Sequence, residues 1–159
     1  MRRWGRNKSY NISIHMENKA VEILKSNKYL SLGTTDGTIP WVAPVFYCMD
    51  ESFNLYFISQ LDSLHSIHMQ KQSLVSFAVF DSHQPEGEGN GVQGDGTVAL
   101  LEGDEITKGL TYYKTTFIKL DVVALSAPAP YRLFKITTNH FYILDPEAET
   151  DKRIEVAIK

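Results

Sequence analysis

The sequence predicts a mainly β fold with short helices, closed into a small antiparallel barrel. Three observations predict it. At least six short runs are rich in Val, Ile, Phe, Tyr and Leu. Turn signals separate them at hairpin spacing, and helical periodicity is confined to brief stretches. Closing such a sheet removes exposed edges.

The elements follow in order. Met16 to Asn27 places Met16, Ala20, Ile23 and Leu24 at helical spacing with charges elsewhere, which predicts an amphipathic helix. Tyr29 to Thr35 is a strand, and Asp36-Gly37 signals a type I′ hairpin turn. Ile39 to Met49 returns as a long strand, irregular or at an edge because Pro40 and Pro44 cannot donate ladder hydrogen bonds. Asp50 to Asn54 is a turn and Leu55 to Ser59 a strand. Asp62 to Gln70 is a short helix capped by Asp62 or Ser63. Leu74 to Phe80 and Thr97 to Glu102 are strands. Asp104 to Phe117 is a helix opening on acids that suit its positive end. Tyr131 to Thr138, His140 to Leu144 and Arg153 to Ile158 are the last strands, and Ser126 to Pro130 is a stiff connector.

At 159 residues the chain is expected to form one domain, residues 1–159, with 1–10 as a basic solvated tail carrying Arg2, Arg3, Arg6 and Lys8. Cys48 is the single cysteine, so no intrachain disulfide can form; an inert buried thiol is expected. Net charge is −3, and residues 84–107 hold six acids and no base, which argues against a nucleic-acid partner. No apolar run reaches the roughly 18 residues of a membrane span. No apolar segment follows the basic N-terminus as in a secretory signal, and a cytoplasmic location is expected.

One motif invites a different fold. Gly89-x-Gly91-x-x-Gly94 spells the dinucleotide fingerprint GxGxxG. That fingerprint must follow a strand directly and open a helix whose N-terminus holds the pyrophosphate. Here a long polar loop, 81–88, comes before it and the β-branched run Thr97-Val98-Ala99-Leu100-Leu101 after it. The glycines are therefore read as a mobile loop leading into a strand.

The stretches PWVAPVFYCMDESFNLYFISQLDSLHSIHM, LVSFAVFDS and GVQGDGTVALLEG, with YRLFKIT, FYILDP and KRIEVAIK, resemble the pyridoxamine 5′-phosphate oxidase-related family across most of the chain from Pro40 onward. The resemblance implies a split β-barrel of FMN-binding type, Greek-key-like, forming a homodimer with FMN in a cleft at the interface. It implies no particular reaction, because the family spans oxidases, flavin reductases, deazaflavin-dependent reductases and haem-handling proteins. The Arg-rich C-terminal segment of the true oxidases has no match after Ile154, so that activity is not expected.

FMN requires an anion site, an apolar wall and polar groups for the ring. The anion site is sought at Ser59, Ser63 and His65, where a strand end meets a helix start and free backbone N–H groups gather. The family carries Lys or Arg at or near the positions matching Leu64 and His65; here Leu64 brings no charge and His65 brings it only when protonated. Lys71 stands nearby. The wall is Val42, Ala43, Pro44 and Val45 beside Trp41, with Phe57 and Ile58 similarly placed on the next strand; an ordinary kinked core strand is the alternative. Gln93 matches a glutamine that reaches the flavin in the family, against the alternative of a solvated loop residue. Arg132 matches an arginine that approaches the cofactor, against a surface ion pair.

Two functions follow. One is an FMN-dependent oxidoreductase with NAD(P)H as a candidate reductant and no side chain standing out as a proton donor. The other is a non-enzymatic flavin- or haem-binding protein, with His65, His68, His83 and His140 as candidate iron ligands. A metal site from His65, His68 and Asp81 or His83 lacks a third fixed ligand and is not expected.

Overall fold

The structure is a computed structural model that describes residues 4–113 and 120–158, with side chains from residue 13 onward. The strands β1 (Tyr29–Thr35), β2 (Pro40–Phe46), β3 (Cys48–Met49), β4 (Leu55–Gln60), β5 (Leu74–Phe80), β6 (Gly91–Leu100), β7 (Tyr131–Leu144) and β8 (Arg153–Glu155) form one antiparallel sheet. It runs β2-β1-β5-β6-β7-β4-β3, with β8 on β7. The sheet curls until β2 approaches β4, giving the expected split barrel.

Three helices accompany it. α1 (Trp4–Ser26) carries helical backbone well into the stretch expected to be a tail. It seals the barrel with Met16, Ala20 and Leu24, each buried. α2 (Leu64–Lys71) packs on β1 and β2. α3 (Asp104–Tyr112) is shorter than expected, and residues 114–117 of its predicted span lie outside the described residues. With the 3-10 turn Val123–Leu125 it covers the other face of β4 and β7, where Tyr56, Leu101, Ile106, Leu125 and Leu133 form a second core. Within the barrel Leu30, Leu32, Phe57, Val79, Phe134 and Ile136 are buried. Each such side chain contributes about 1.5–3 kcal/mol relative to exposure.

Several expectations are corrected. The β1–β2 hairpin closes through four residues, 36–39, not a two-residue type I′ turn: only Gly37 has positive φ (95°), and Asp36 Oδ1 accepts from the N–H groups of Thr38 and Ile39. Those bonds hold the Asp36 carboxyl below its ordinary pKa. The long strand Ile39 to Met49 breaks at Tyr47, and its proline-bearing half becomes an edge, which tolerates missing donors. β7 is one strand: Asp95 pairs with His140 but Gly96 with Thr138, so Asn139 is an extra residue bulged out of register. Cys48 is half-buried instead of buried.

The largest correction concerns the glycines. Gly91, Gly94 and Gly96 are not a loop; they belong to β6, and the loop is confined to 81–90. A Cβ on Gly94 would lie 2.7 Å from the His140 carbonyl oxygen and closer still to the Phe77 ring edge. The residue is glycine because β6 threads between a core ring and its neighbouring strand.

Candidate functional site

Pairing register leaves the expected site residues either inside the two cores or at two places that reach the surface. Alternation along each strand sends neighbours to opposite faces. On β2, Ala43 and Val45 turn inward and are buried, while Val42 and Pro44 turn outward and are exposed. Phe57 is also internal, fully buried and stacked on Phe134 at 5.3 Å. Ile58 points to the second core under α3. The wall read from the sequence thus divides, and only Val42 and Pro44 face outward.

The outer face has a regular layout. One row across the sheet is Pro44, Ser31, Ala78, Gln93, Tyr142; the next is Val42, Gly33, Ser76, Asp95, His140. Val42 and Gln93 stand three strands apart, about 14 Å along the sheet at the usual strand spacing. Between them the floor is Gly33, Ser31, Ser76 and Ala78, all small. The Ser76 hydroxyl occupies the space where a Gly33 Cβ would project, so this pair is kept flat by glycine. Apolar Val42, Leu74 and Phe80 are exposed around the floor. At one end a cavity of about 160 Å³ lies among Ala78, Phe80, Gly89, Gln93 and Arg153. Arg153 Nη1 donates there to the Gly89 and Gly91 carbonyls at 3.4 and 3.5 Å.

The second place is the corner between β4 and α2. Ser59 Oγ lies 2.6 Å from His65 Nε2, and Ser63 Oγ 3.2 Å from the same nitrogen. Ser63 Oγ also bonds the Gln60 carbonyl at 2.8 Å and Ser66 Oγ at 2.9 Å. Ser63 occupies the N-cap of α2 yet makes no side-chain capping bond, so its hydroxyl leaves the first-turn N–H groups uncovered. Burial, with His68 adding, pushes the His65 pKa down, so its imidazole is neutral at pH 7. Lys71 is engaged by Asp36 at 3.6 Å. His68 is buried with its Nδ1 3.4 Å from Thr34 Oγ1.

Arg132 pairs with Ser59 across β4 and β7, putting both side chains on one face of the sheet. The surface setting expected of its ion pair does not hold. Arg132 is buried, not superficial; Nη2 donates to Glu102 Oε1 at 3.1 Å, and that carboxylate is mostly exposed. Its Nε is buried with no hydrogen-bond partner, the one such side-chain atom among the described residues. A fixed cation with an unmet donor therefore sits beside a hydroxyl cluster and an uncapped helix start. Arginine cannot shed its charge there, and an anion is its natural complement.

Of the remaining histidines, His83 is on the exposed loop with Asp81. His140 faces outward with its Nδ1 3.1 and 3.0 Å from the two oxygens of Asp95. That pair was not singled out as a unit in the sequence, because 45 residues separate its members; no local signal announces it. Among the described residues no three His, Cys, Asp or Glu side chains gather as a metal site, and no helix is long and apolar enough to cross a membrane.

Comparison with known proteins adds the relationships. The family model described as pyridoxamine 5′-phosphate oxidase matches residues 16–145. No curated protein sequence matches. Among solved structures, the chain is similar to a heme binding protein from Mycobacterium smegmatis (16% identity, TM-score 0.68, covering 88% of this chain), although it spans only 57% of that protein. It is similar to a FAD-binding protein from Mesorhizobium loti (20% identity, TM-score 0.58, covering 77% of this chain and 89% of that one). It is also similar to General Stress Protein 26 from Bacillus anthracis (16% identity, TM-score 0.63, covering 89% and 99%). At these identities the structural likeness establishes the split-barrel fold.

Proposed function

We propose that this chain, which belongs to the pyridoxamine 5′-phosphate oxidase family, binds FMN between two copies of itself and acts as an FMN-dependent oxidoreductase. The observation that carries the reading is the β4–α2 corner: an uncapped helix start, two serine hydroxyls on His65, and Arg132 with an unmet buried donor. These residues fit a phosphate. A helix N-terminus and an arginine are both complementary to a dianion. Arg132 supplies the charge that Leu64 and a neutral His65 do not.

The other residues divide the remaining tasks. Gln93 pairs with Tyr142, ten residues along β7 from Arg132 and roughly 30 Å away at the usual strand rise, so the outer face receives the ring of a flavin whose phosphate lies in the other copy's corner: Val42 and Pro44 offer that ring apolar contact, and the Gln93 amide offers a donor and an acceptor to its heteroatoms. The cavity beside Gln93 is smaller than the roughly 300 Å³ lower end of small-molecule sites. A second wall is therefore needed, and the exposed apolar residues around the small-residue floor suit a second copy. When bound, the flavin supplies the electron and hydride chemistry; the chain orients it and tunes its ring by hydrogen bonding. NAD(P)H is the proposed reductant.

A second reading is favoured by one observation: His140 stands half-exposed on the same face, and a structural neighbour is described as a heme binding protein. On that reading the barrel holds haem without catalysis. The absorption spectrum after reconstitution, read beside the molar mass by light scattering, tests both. Flavin bands that bleach anaerobically with NAD(P)H on a dimer support the oxidoreductase. A Soret band with no flavin uptake supports haem, and a protein that takes up neither overturns both.

A further inference from the structure

We propose that His140 is the proton-transfer residue of the outer-face site and that Asp95 positions it; this rests on the flavin reading above. Three features of the molecule support the assignment. First, Nδ1 of His140 meets both Asp95 oxygens, at 3.1 and 3.0 Å. A carboxylate on one ring nitrogen fixes the tautomer with hydrogen on Nδ1 and leaves Nε2 to exchange a proton with whatever lies over the sheet. Second, the pair sits where the ladder between β6 and β7 is interrupted, between Asp95 and Gly96. Such bulges re-aim side chains. Third, His140 and Asp95 end the row that begins at Val42 and crosses Gly33 and Ser76, and Gln93 stands two residues before Asp95 on β6 and diagonal to His140. A ring lying on the small-residue floor with its heteroatoms at Gln93 has this imidazole along its border.

A folding role does not account for the pair. Both side chains are nearly half-exposed (48% and 42%), and exposed ion pairs add little to stability. The ionisable groups that face His140 are few. Asp95 contributes from β6. On its own strand the Tyr142 ring lies 6.2 Å away. Glu155 of β8 pairs with Tyr142, and Arg153 follows two residues before it. On β5 the same row presents Ser76, which does not titrate.

The chemistry assigned to the protein is the proton alone. When bound, the reduced flavin would supply the hydride to a two-electron acceptor, and Nε2 of the His140 imidazolium would supply the proton. The neutral imidazole left behind is reprotonated by water at the open side of the sheet, while Asp95 keeps the Nδ1 hydrogen throughout.

The test uses the full chain reconstituted with FMN, as wild type, His140→Ala, His140→Gln and Asp95→Asn. FMN affinity is read by fluorescence quenching. The reoxidation of anaerobically reduced protein by the quinone imine 2,6-dichlorophenolindophenol is read by stopped flow from pH 5 to pH 9. Histidine ring resonances are followed by NMR with and without FMN. We expect FMN affinity to be retained in all variants. Reoxidation should slow on the order of 100-fold in both His140 variants, with the histidine limb of the pH profile gone, in keeping with the usual worth of a positioned acid. Asp95→Asn should slow it less and displace that limb. The His140 resonances of the wild type should move on FMN addition. Unchanged rates and pH profile in His140→Ala with FMN bound overturn the proposal, as do His140 resonances indifferent to FMN. Wild-type protein that takes up no FMN overturns the flavin reading itself and is told apart by the affinity measurement.

Discussion

Replacing Gly94 by alanine separates the packing account of the glycine-rich segment from any ligand-loop account. The added Cβ would sit 2.7 Å from the His140 carbonyl oxygen and inside contact distance of the Phe77 ring edge. Phe77 itself is buried and packed edge-on to Phe141 at 5.8 Å, so the ring cannot swing away freely. The carbonyl belongs to β7 and is held in the sheet. Overpacking of this kind costs about 1–3 kcal/mol, and a clash with backbone places the change at the upper end. For a chain of this size each kcal/mol lowers Tm by about 2–4 °C, so a fall of roughly 6–12 °C is expected. Gly91→Ala is the comparison: its Cβ would meet Phe80 Cβ at 3.2 Å and a carbonyl at 3.3 Å, a tight fit with smaller loss. Calorimetric melting of both variants without ligand reads the difference. A Gly94→Ala protein melting with the wild type, or a Gly91→Ala protein falling further, would refute the argument.

Other outcomes follow from the same structure. Arg132→Met should weaken FMN binding roughly 10- to 100-fold, the worth of a charged hydrogen bond, while leaving riboflavin binding alone, as read by calorimetric titration. Phe57→Ala should cost about 3–5 kcal/mol of stability, because the ring is internal and stacked on Phe134, and the surviving folded protein should keep its FMN affinity. On the proposed two-copy arrangement, Val42→Asp on the exposed edge strand should lower the mass measured by light scattering from dimer to monomer with the fold intact. The His65 pKa lies below its ordinary value, so the unfolded chain binds that proton more readily than the folded one. Stability is thus lost as pH falls from about 6.5 through the folded value, and His65→Gln should flatten that part of the Tm–pH curve.

Most of the strand and helix plan was legible in the sequence because alternation and turn residues act locally. Tyr29 to Thr35 alternates, Leu55 to Ser59 and Leu74 to Phe80 are short apolar runs bounded by turn signals, and the structure has strands there. Residues 91–96 read as a loop because glycine carries no periodic apolar signal. They are strand because they pair with β5 and β7, and Gly94 and Gly96 are glycine because Phe77, His140 and Thr137 leave no room for a side chain there, a fact that only tertiary packing supplies. The wall at 42–45 was read as one surface, whereas strand alternation divides it. Arg132 looked like a surface ion pair because sequence does not show that β4 and β7 pair Ser59 with it. The Asp95–His140 unit is illegible for the same reason: the register between β6 and β7, strands that α3 separates in the chain, makes it.

The central claim is that the β4–α2 corner, with Arg132, holds the phosphate of a flavin. Calorimetric titration of the wild-type chain with FMN and, separately, riboflavin tests it most directly. The account predicts one FMN per chain, with riboflavin weaker by at least about tenfold, the equivalent of one charged contact. Equal affinity for the two, or no uptake of FMN, would contradict it.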